Sequence, residues 1–211
     1  MKHLLNLTLV CGLLSALTVH AADYDAAYYE AYRQYIAAAE GESRATRRAV
    51  DQFTALHNAQ PQDPVAMVLL GSSQTLQGRD ALLPWNKMNH TETGLDTMAQ
   101  AQALLTPSHS SLTFESVPAS IMVPLTAAIT YVQVPDFFGR FEQGYSMLQD
   151  ISRHPDLHAV PAEERTIIHY YTALAAQRVD ETAVAERALD ALFALNVEDE
   201  YTALAQKNWR P

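Results

Sequence analysis

The chain has 211 residues, of which 48% are hydrophobic and only 18% are charged, and its 24 acidic side chains outnumber its 14 lysines and arginines. A formal net charge of -10 argues against binding to the phosphate backbone of nucleic acids, because proteins that do so concentrate lysine and arginine on one face. The length suits one domain with a sizeable core.

Residues 1–21 have the three parts of a secretory signal peptide. Lys2 supplies the positive start, an apolar run covers residues 4–17, and small or branched residues precede the expected cleavage site after Ala21. The apolar run is shorter than the roughly 20 residues that span a bilayer, so a membrane anchor is the less favoured interpretation. We expect export to a Gram-negative periplasm, with residues 22–211 as a single helical domain.

The only cysteine, Cys11, lies inside this apolar run. A lipidated cysteine is the alternative, but the residues before Cys11 lack the small side chain that a lipidation signal needs. Loss of the signal peptide would leave no cysteine, which excludes disulfides, thiol nucleophiles and thiolate metal sites. It would also remove Lys2 and no acidic residue, leaving 13 basic and 24 acidic residues and a net charge of -11.

Abundant alanine, only seven glycines and apolar residues at three-and-four spacing predict helices throughout the mature chain and no strand. The first predicted helix follows Asp23 as its N-cap and ends at Gly41. One face of it carries four tyrosines, Tyr24, Tyr28, Tyr32 and Tyr35. We interpret this face as a packing surface with its hydroxyls at the solvent edge, and a ligand groove is the alternative.

The next two predicted helices are joined by a short proline-containing link. Ser43 is expected to cap the second helix, which stops near Pro61, and Pro64 opens the third in its first turn. Gly71 would allow close approach by a neighbouring helix. So short a connection predicts that the two helices are antiparallel neighbours.

A linker over residues 78–83 is expected to lead to a fourth helix from Pro84 to about Leu105. Pro118 and Pro124 would kink or split the helix that follows. The remaining predicted helices cover residues 111–133, 135–153, 161–177, 181–195 and 198–208. The sequence thus predicts an all-α fold of eight or nine helices, mostly in antiparallel pairs.

Paired helices at a period near 34 residues are typical of tetratricopeptide arrays. The small, aromatic, apolar and proline positions of that repeat's second helix are matched by Ala49, Phe53, Leu56 and Pro61. Leu70 and Gly71 follow where the next repeat carries its Leu-Gly pair. The chain therefore resembles a divergent tetratricopeptide-like helical array, most clearly over residues 43–105.

The pattern then departs from this family. The next second-helix positions, Gly94, Met98 and Ala101, are displaced by about eleven residues, which makes residues 78–87 an insertion between paired helices. Later pairs match weakly, with Ala185, Leu189 and Leu192 the best case. The chain also resembles a group of uncharacterised bacterial tetratricopeptide-like proteins, through residues 70–71, 78–80, 84–88 and 134–140. That resemblance implies a shared all-helical fold and no particular activity.

The expected insertion contains the first candidate binding residues. Trp85 would anchor a partner while Arg79 or Lys87 grips a carboxylate. The favoured interpretation is structural: Trp85 fills a gap between helix pairs, and Arg79 and Asp80 hold the linker in place.

The segment 135–140 repeats this chemistry and adds Phe138 and Arg140 as candidates. Phe137 and Phe138 cannot both face one core. If this segment lies beside the expected insertion, the two would form one binding groove.

Catalytic and metal sites are not expected. His154, Asp156 and His158, with Asp150, are the best metal-binding candidates, but Pro155 opposes the helix that would put both histidines on one face, and no His-Glu-x-x-His motif occurs. No nucleophile elbow or phosphate-cradling loop is present, since residues 71–73 lie within a predicted helix. We assign no catalytic residue, metal ligand or cofactor.

These features favour an exported, non-enzymatic helical repeat protein that binds another protein or peptide in the cell envelope, in an accessory or assembly role. One alternative is a helical periplasmic enzyme or metal-binding protein. Another is an oligomerising module in which the tyrosine face docks against a second copy. Neither a nucleic-acid partner nor a stable membrane span is expected, and the sequence leaves the partner and the oligomeric state open.

Overall fold

The computed structural model describes residues 24–109 and 111–209. The expected signal peptide, its cleavage site at Ala21, Cys11 and the expected cap Asp23 lie outside the described residues. Nine α-helices occur in the described part: α1 (Ala26–Ala39), α2 (Ser43–Ala59), α3 (Pro64–Asp80), α4 (Pro84–Leu104), α5 (Ala119–Gln133), α6 (Phe141–Ile151), α7 (Ala162–Arg178), α8 (Thr182–Ala194) and α9 (Glu200–Trp209). The all-α prediction is confirmed.

Successive helices pack as pairs: α1 with α2, α3 with α4, α5 with α6, and α7 with α8. The odd-numbered helices also contact one another in order: α1 contacts α3, α3 contacts α5, α5 contacts α7, and α7 contacts α9. Helices α1 and α3 point the same way, because Tyr28 and Tyr35 along α1 bond Asp63 and Ser72 along α3. Within the described ranges, no helix combines the length and hydropathy that crossing a bilayer requires.

Aspartates and a proline set the starts of α1 and α3. The Asp25 carboxylate accepts hydrogen bonds from the N–H groups of Ala27 and Tyr28, and Asp63 does the same for α3, whose first residue is Pro64. These contacts satisfy N–H groups that have no partner within the helix. Ser43 was expected to cap α2, but Glu42 occupies that position without a side-chain bond.

Two glycines set the packing of α3 against α4. A Cβ atom on Gly71 would lie 2.7 Å from the carbonyl oxygen of Gly94, and one on Gly78 would lie 2.9 Å from that of Lys87. Both distances are shorter than side chains tolerate, so the expected close approach at Gly71 is confirmed. Residues 78–80 belong to α3, and only Ala81–Leu83 connect the two helices. The expected linker is therefore wrong: the extra residues lengthen two paired helices.

A short hairpin replaces the expected helix over residues 111–118. Strands β1 (Thr113–Phe114) and β2 (Val117–Pro118) pair antiparallel, and Glu115 and Ser116 between them have φ angles of +50° and +62°. Positive φ is incompatible with a right-handed helix. The hairpin places Phe114, which is 1% exposed, against α1.

The expected helix over residues 135–153 also starts later than predicted. Asp136–Phe138 form a short 3₁₀ turn that ends at Gly139, whose φ is +65°, and α6 begins at Phe141. Pro124 lies inside α5 without ending that helix. A separate small cluster of Tyr170, Leu192 and Ala205 packs α9 against the last helix pair.

Candidate functional site

Four large apolar side chains are exposed together where α3 turns into α4. Leu82 is 93% exposed, Trp85 66%, Leu83 44% and Met88 40%. We call these four residues the apolar tip. Trp85 therefore does not fill a gap between helix pairs as the favoured structural interpretation expected. Isolated exposed apolar residues are ordinary, but a contiguous group often marks an interaction surface.

The base of the apolar tip is fastened to the first helix pair. The Arg79 guanidinium donates to the carbonyl oxygen of Ala38 at the end of α1 (2.8 Å) and to the Asp80 carboxylate (2.8 Å). Asp80 also accepts from the Thr46 hydroxyl at 2.6 Å. Burial raises the pKa of Asp80, but the Arg79 and Thr46 hydrogen bonds outweigh it and leave that pKa below its ordinary value. Arg79 and Asp80 therefore join the end of α3 to α1 and α2, whereas the linker that they were expected to hold in place does not exist.

Lys87 closes the same end of α3. Its ammonium donates to the carbonyl oxygen of Arg79 at 2.9 Å, a cation placed at a helix C-terminus. Of the three N–H groups of this ammonium, two remain for other acceptors. No acidic residue occurs from Ala81 to Thr91, although the whole chain carries a net charge of -10. The apolar tip itself thus carries no acidic side chain, and the carboxylate of Asp80 just before it is paired with Arg79.

In the second candidate segment, residues 135–140, the side chains of Phe137, Phe138 and Arg140 have different surroundings. Phe137 is 70% exposed, whereas Phe138 packs against the main core, so the expectation that they cannot share one core is confirmed. Arg140 lies over the Tyr131 ring at 5.5 Å, pairs with Asp96 of α4 at 3.8 Å and donates to Gln143 at 3.2 Å. Arg140 therefore links α4, α5 and α6.

The structure does not bring Arg140 and Trp85 into one groove. Arg140 contacts α4 at Asp96, and Trp85 precedes Asp96 by eleven positions. At a rise of 1.5 Å per residue, Asp96 and Trp85 are separated by roughly 16 Å along the axis of α4. Of the five candidate binding residues, only Arg79 and Lys87 are joined directly.

The tyrosine face of α1 is a packing surface, as expected, but its hydroxyls are not all at the solvent edge. Phe114 lies within 5.0 Å, between ring centres, of Tyr24, Tyr28 and Tyr32. The Tyr28 hydroxyl donates to buried Asp63, and burial raises the pKa of Tyr28 above its ordinary value. The chain's own core thus covers Tyr28, while Tyr24, Tyr32 and Tyr35 are half-buried.

A cleft between α6, α7 and α8 was missed in the sequence. Its volume is about 230 Å³, below the roughly 300–1,000 Å³ of pockets for drug-sized ligands. The residues that line it are Gln149, Ser152, Arg153, His169, Thr172, Val184, Arg187, Ala188 and Ala191. Arg153 and Arg187 are 34 positions apart, one tetratricopeptide period, and this spacing was the signal that could have drawn attention to them.

The histidines of the expected metal candidate are used locally. The Nδ1 atom of His154 accepts from the Asp156 N–H at 3.2 Å, and the Nδ1–H of His158 donates to the carbonyl oxygen of Pro155. Across residues 24–109 and 111–209, no three His, Cys, Asp or Glu side chains converge as metal ligands would. Ser72 and Ser73 lie within α3, and Ser73 donates to the carbonyl oxygen of Leu69 at 2.7 Å.

The apolar tip and the cleft are thus two separate surfaces, one projecting and apolar, the other recessed and polar. Neither contains a paired nucleophile and base. No family model, curated protein or solved structure matches this chain.

Proposed function

We propose that this chain is an exported, tetratricopeptide-like array that binds another protein or peptide in the cell envelope through its apolar tip. The exposed group of Leu82, Leu83, Trp85 and Met88 is the single observation that carries this proposal. Solenoids of helix pairs act by presenting surfaces and need no chemistry of their own.

The repeat character is supported by the spacing of hydrogen bonds between helices. Six side-chain hydrogen bonds join residues 33–37 positions apart: Tyr28 with Asp63, Tyr35 with Ser72, Thr46 with Asp80, Ser120 with Asp156, Tyr145 with Glu181, and Thr166 with Asp199. A period near 34 residues is that of tetratricopeptide repeats. Three of these bonds join the first helix pair to α3, two join α5 and α6 to residues beside α7 and α8, and one joins α7 to the residue before α9, whereas none of the six joins α3 or α4 to α5 or α6.

The chemistry of the tip indicates what its partner presents. Because the tip projects from the end of a helix pair, the partner supplies an apolar recess that accepts Trp85. Lys87, with two N–H groups left after its bond to Arg79, lies one position before Met88 and two after Trp85 on α4, and it suits a carboxylate or carbonyl at the rim of that recess. Because hydrogen bonds to α1 and α2 already order the base of the apolar tip, less conformational entropy is lost on binding.

A crosslinking experiment in the native envelope tests this proposal. A photoreactive amino acid at position 85 should capture one defined protein, whereas the same group at Leu174, an apolar residue of α7 that is 36% exposed, should not. Trp85→Ala should abolish co-purification of the captured protein, and Leu174→Ala should leave it unchanged. Equal capture from both positions would contradict the proposal.

A lipid surface is the competing occupant of an apolar projection. Sedimentation with vesicles of phosphatidylethanolamine and phosphatidylglycerol separates the two. We expect the mature chain to stay in the supernatant. Sedimentation that is lost in Trp85→Ala would replace the protein partner with a membrane.

Export is a separate part of the proposal and rests on the pattern of residues 1–21. Mass spectrometry of the protein recovered from the periplasmic fraction should find a mature chain that begins at Ala22. An intact N-terminus in the cytoplasmic fraction would overturn this part and leave the binding proposal untouched.

A further inference from the structure

The cleft between α6, α7 and α8 combines positive charge with an apolar wall. Gln149 reaches it from α6, and Ser152 and Arg153 reach it from just after that helix; His169 and Thr172 form part of it from α7, and four residues of α8 complete it, namely Val184, Arg187, Ala188 and Ala191. No carboxylate lines the cleft, in a chain that carries 24 acidic residues. A lining that contains two arginines and no acidic side chain favours an anionic ligand.

Neither of the two arginines forms an ion pair with a carboxylate of the described residues. In the described part of the chain, ion pairs form at Arg33, Arg79, Arg140 and Arg178, but not at Arg153 or Arg187. A guanidinium presents several N–H donors in a planar fork that matches the oxygens of a carboxylate or a phosphate. Two such forks, one just after α6 and one on α8, therefore suit an oxyanion.

The Ser152 and Thr172 hydroxyls in the cleft indicate which polar group a ligand would carry besides its anionic group. Ser152 donates to the carbonyl oxygen of Leu148 at 2.8 Å, and Thr172 donates to that of Ile168 at 2.7 Å. The two hydroxyl oxygens also lie 3.4 Å from each other, and while each proton is held by its backbone carbonyl, both oxygens can accept a hydrogen bond from a ligand. Burial and the charge of Arg165 lower the pKa of His169, which leaves the imidazole neutral at pH 7.

We propose that this cleft binds a small organic oxyanion, a carboxylate or a phosphate monoester on a short carbon skeleton that also bears a hydroxyl or ammonium donor. Arg153 and Arg187 hold the anionic group, and Ser152 and Thr172 accept from the donor. Ala188 and Ala191 contact the carbon skeleton. The volume of about 230 Å³ corresponds to roughly eight water molecules, which limits the ligand to metabolite size.

Amide NMR titration of the mature chain tests this proposal with malate, succinate and glycerol 3-phosphate, against sodium chloride at matched ionic strength. We expect saturable shifts at Ser152, His169 and Thr172 with malate, with glycerol 3-phosphate or with both. The probe that saturates at the lower concentration identifies a carboxylate or a phosphate ester as the ligand class. Malate should bind more tightly than succinate, which lacks the hydroxyl.

Charge-matched variants separate a built site from general electrostatic attraction. Arg153→Ala and Arg187→Ala should each weaken binding roughly tenfold or more, because each removes a charge-assisted hydrogen bond. Arg47→Ala, which removes the same charge from an exposed position on α2, should leave the affinity unchanged. Circular dichroism verifies that each variant is folded.

Three results would overturn the proposal. The first is that no probe saturates below about 10 mM. Such binding would be weaker than millimolar affinity, which corresponds to roughly 4 kcal/mol. The second is that Arg47→Ala weakens binding as much as Arg187→Ala. The third is equal affinity for malate and succinate, which would exclude Ser152 and Thr172 as acceptors of a hydrogen bond from the ligand.

Discussion

The hydroxyl of Tyr28 donates a 3.2 Å hydrogen bond to the carboxylate of Asp63, which lies 35 positions further along the chain. The same carboxylate accepts from the N–H groups of Val65 and Ala66 at the start of α3. Burial raises the pKa of Asp63 above its ordinary value, and these three hydrogen bonds oppose the rise. One buried side chain thus caps α3 and fastens it to α1.

Tyr28→Phe should lower the free energy of unfolding by about 1–3 kcal/mol, because it removes a buried hydrogen bond to a carboxylate and keeps the ring. Urea denaturation followed by circular dichroism measures the change. Tyr29→Phe is the matched control, since Tyr29 is 41% exposed, and it should change stability by less than about 0.5 kcal/mol. Equal effects of the two variants would contradict a structural role for the bond.

Gly71→Ala should destabilise the protein by about 1–3 kcal/mol, although alanine is the better helix former. The added Cβ would lie 2.7 Å from the carbonyl oxygen of Gly94 and force α3 and α4 apart. Thr93→Ala, an exposed position beside Gly94, should be neutral or slightly stabilising. A gain in stability from Gly71→Ala, measured by thermal unfolding, would show that the helices can separate without cost.

Local signals in the sequence were sufficient where a helix boundary depends on one residue. Pro64 and Gly41 mark a helix start and a helix end that the structure confirms, because each acts through its own backbone. The hairpin before α5 has no such signal. Glu115 and Ser116 adopt positive φ although neither is glycine, and the buried contacts of Phe114 with α1 accompany this conformation.

The two candidate surfaces depended on tertiary contacts and were predicted only in part. The chemistry of Trp85 was recognised, but its exposure follows from the lengthening of α3 and α4, which a repeat alignment interprets as an insertion. The cleft is formed by three consecutive helices, α6, α7 and α8, together with the residues that directly follow α6. Arg153 and Arg187 therefore line one cleft only in the packed arrangement of the last two helix pairs.

Arg79→Ala should lower stability by about 0.5–1.5 kcal/mol and should accelerate amide hydrogen exchange in the last turn of α1. The reason is that Arg79 bonds the carbonyl oxygen of Ala38 and holds Asp80 against Thr46. Arg79→Lys should restore only part of the loss, since an ammonium lacks the planar fork. Arg47→Ala is the control, and exchange that is unchanged in α1 would contradict the fastening role.

The apolar tip should contribute to binding and not to stability. Leu82→Ala removes a side chain that is 93% exposed, so the free energy of unfolding should change by less than about 0.5 kcal/mol. Leu95→Ala, at a position that is 3% exposed, should cost about 2–5 kcal/mol through the cavity it leaves. A large loss for Leu82→Ala in guanidinium denaturation would mean that the tip packs within the chain.

Stability should fall as the pH drops below the ordinary pKa of histidine, with His169 as one source. Its pKa in the folded protein is lowered from 6.5 by burial and by Arg165, so the unfolded chain binds the proton more readily. The stabilisation is complete above pH 6.5 and is lost as the pH falls towards the folded pKa, with a slope of at most about 1.4 kcal/mol per pH unit for one group. His169→Gln removes this contribution, so its unfolding free energy should decline less than that of the unmodified chain between pH 7.5 and 5. Urea denaturation across this range gives both curves, and parallel curves would show that His169 takes up its proton equally well in the folded and unfolded states.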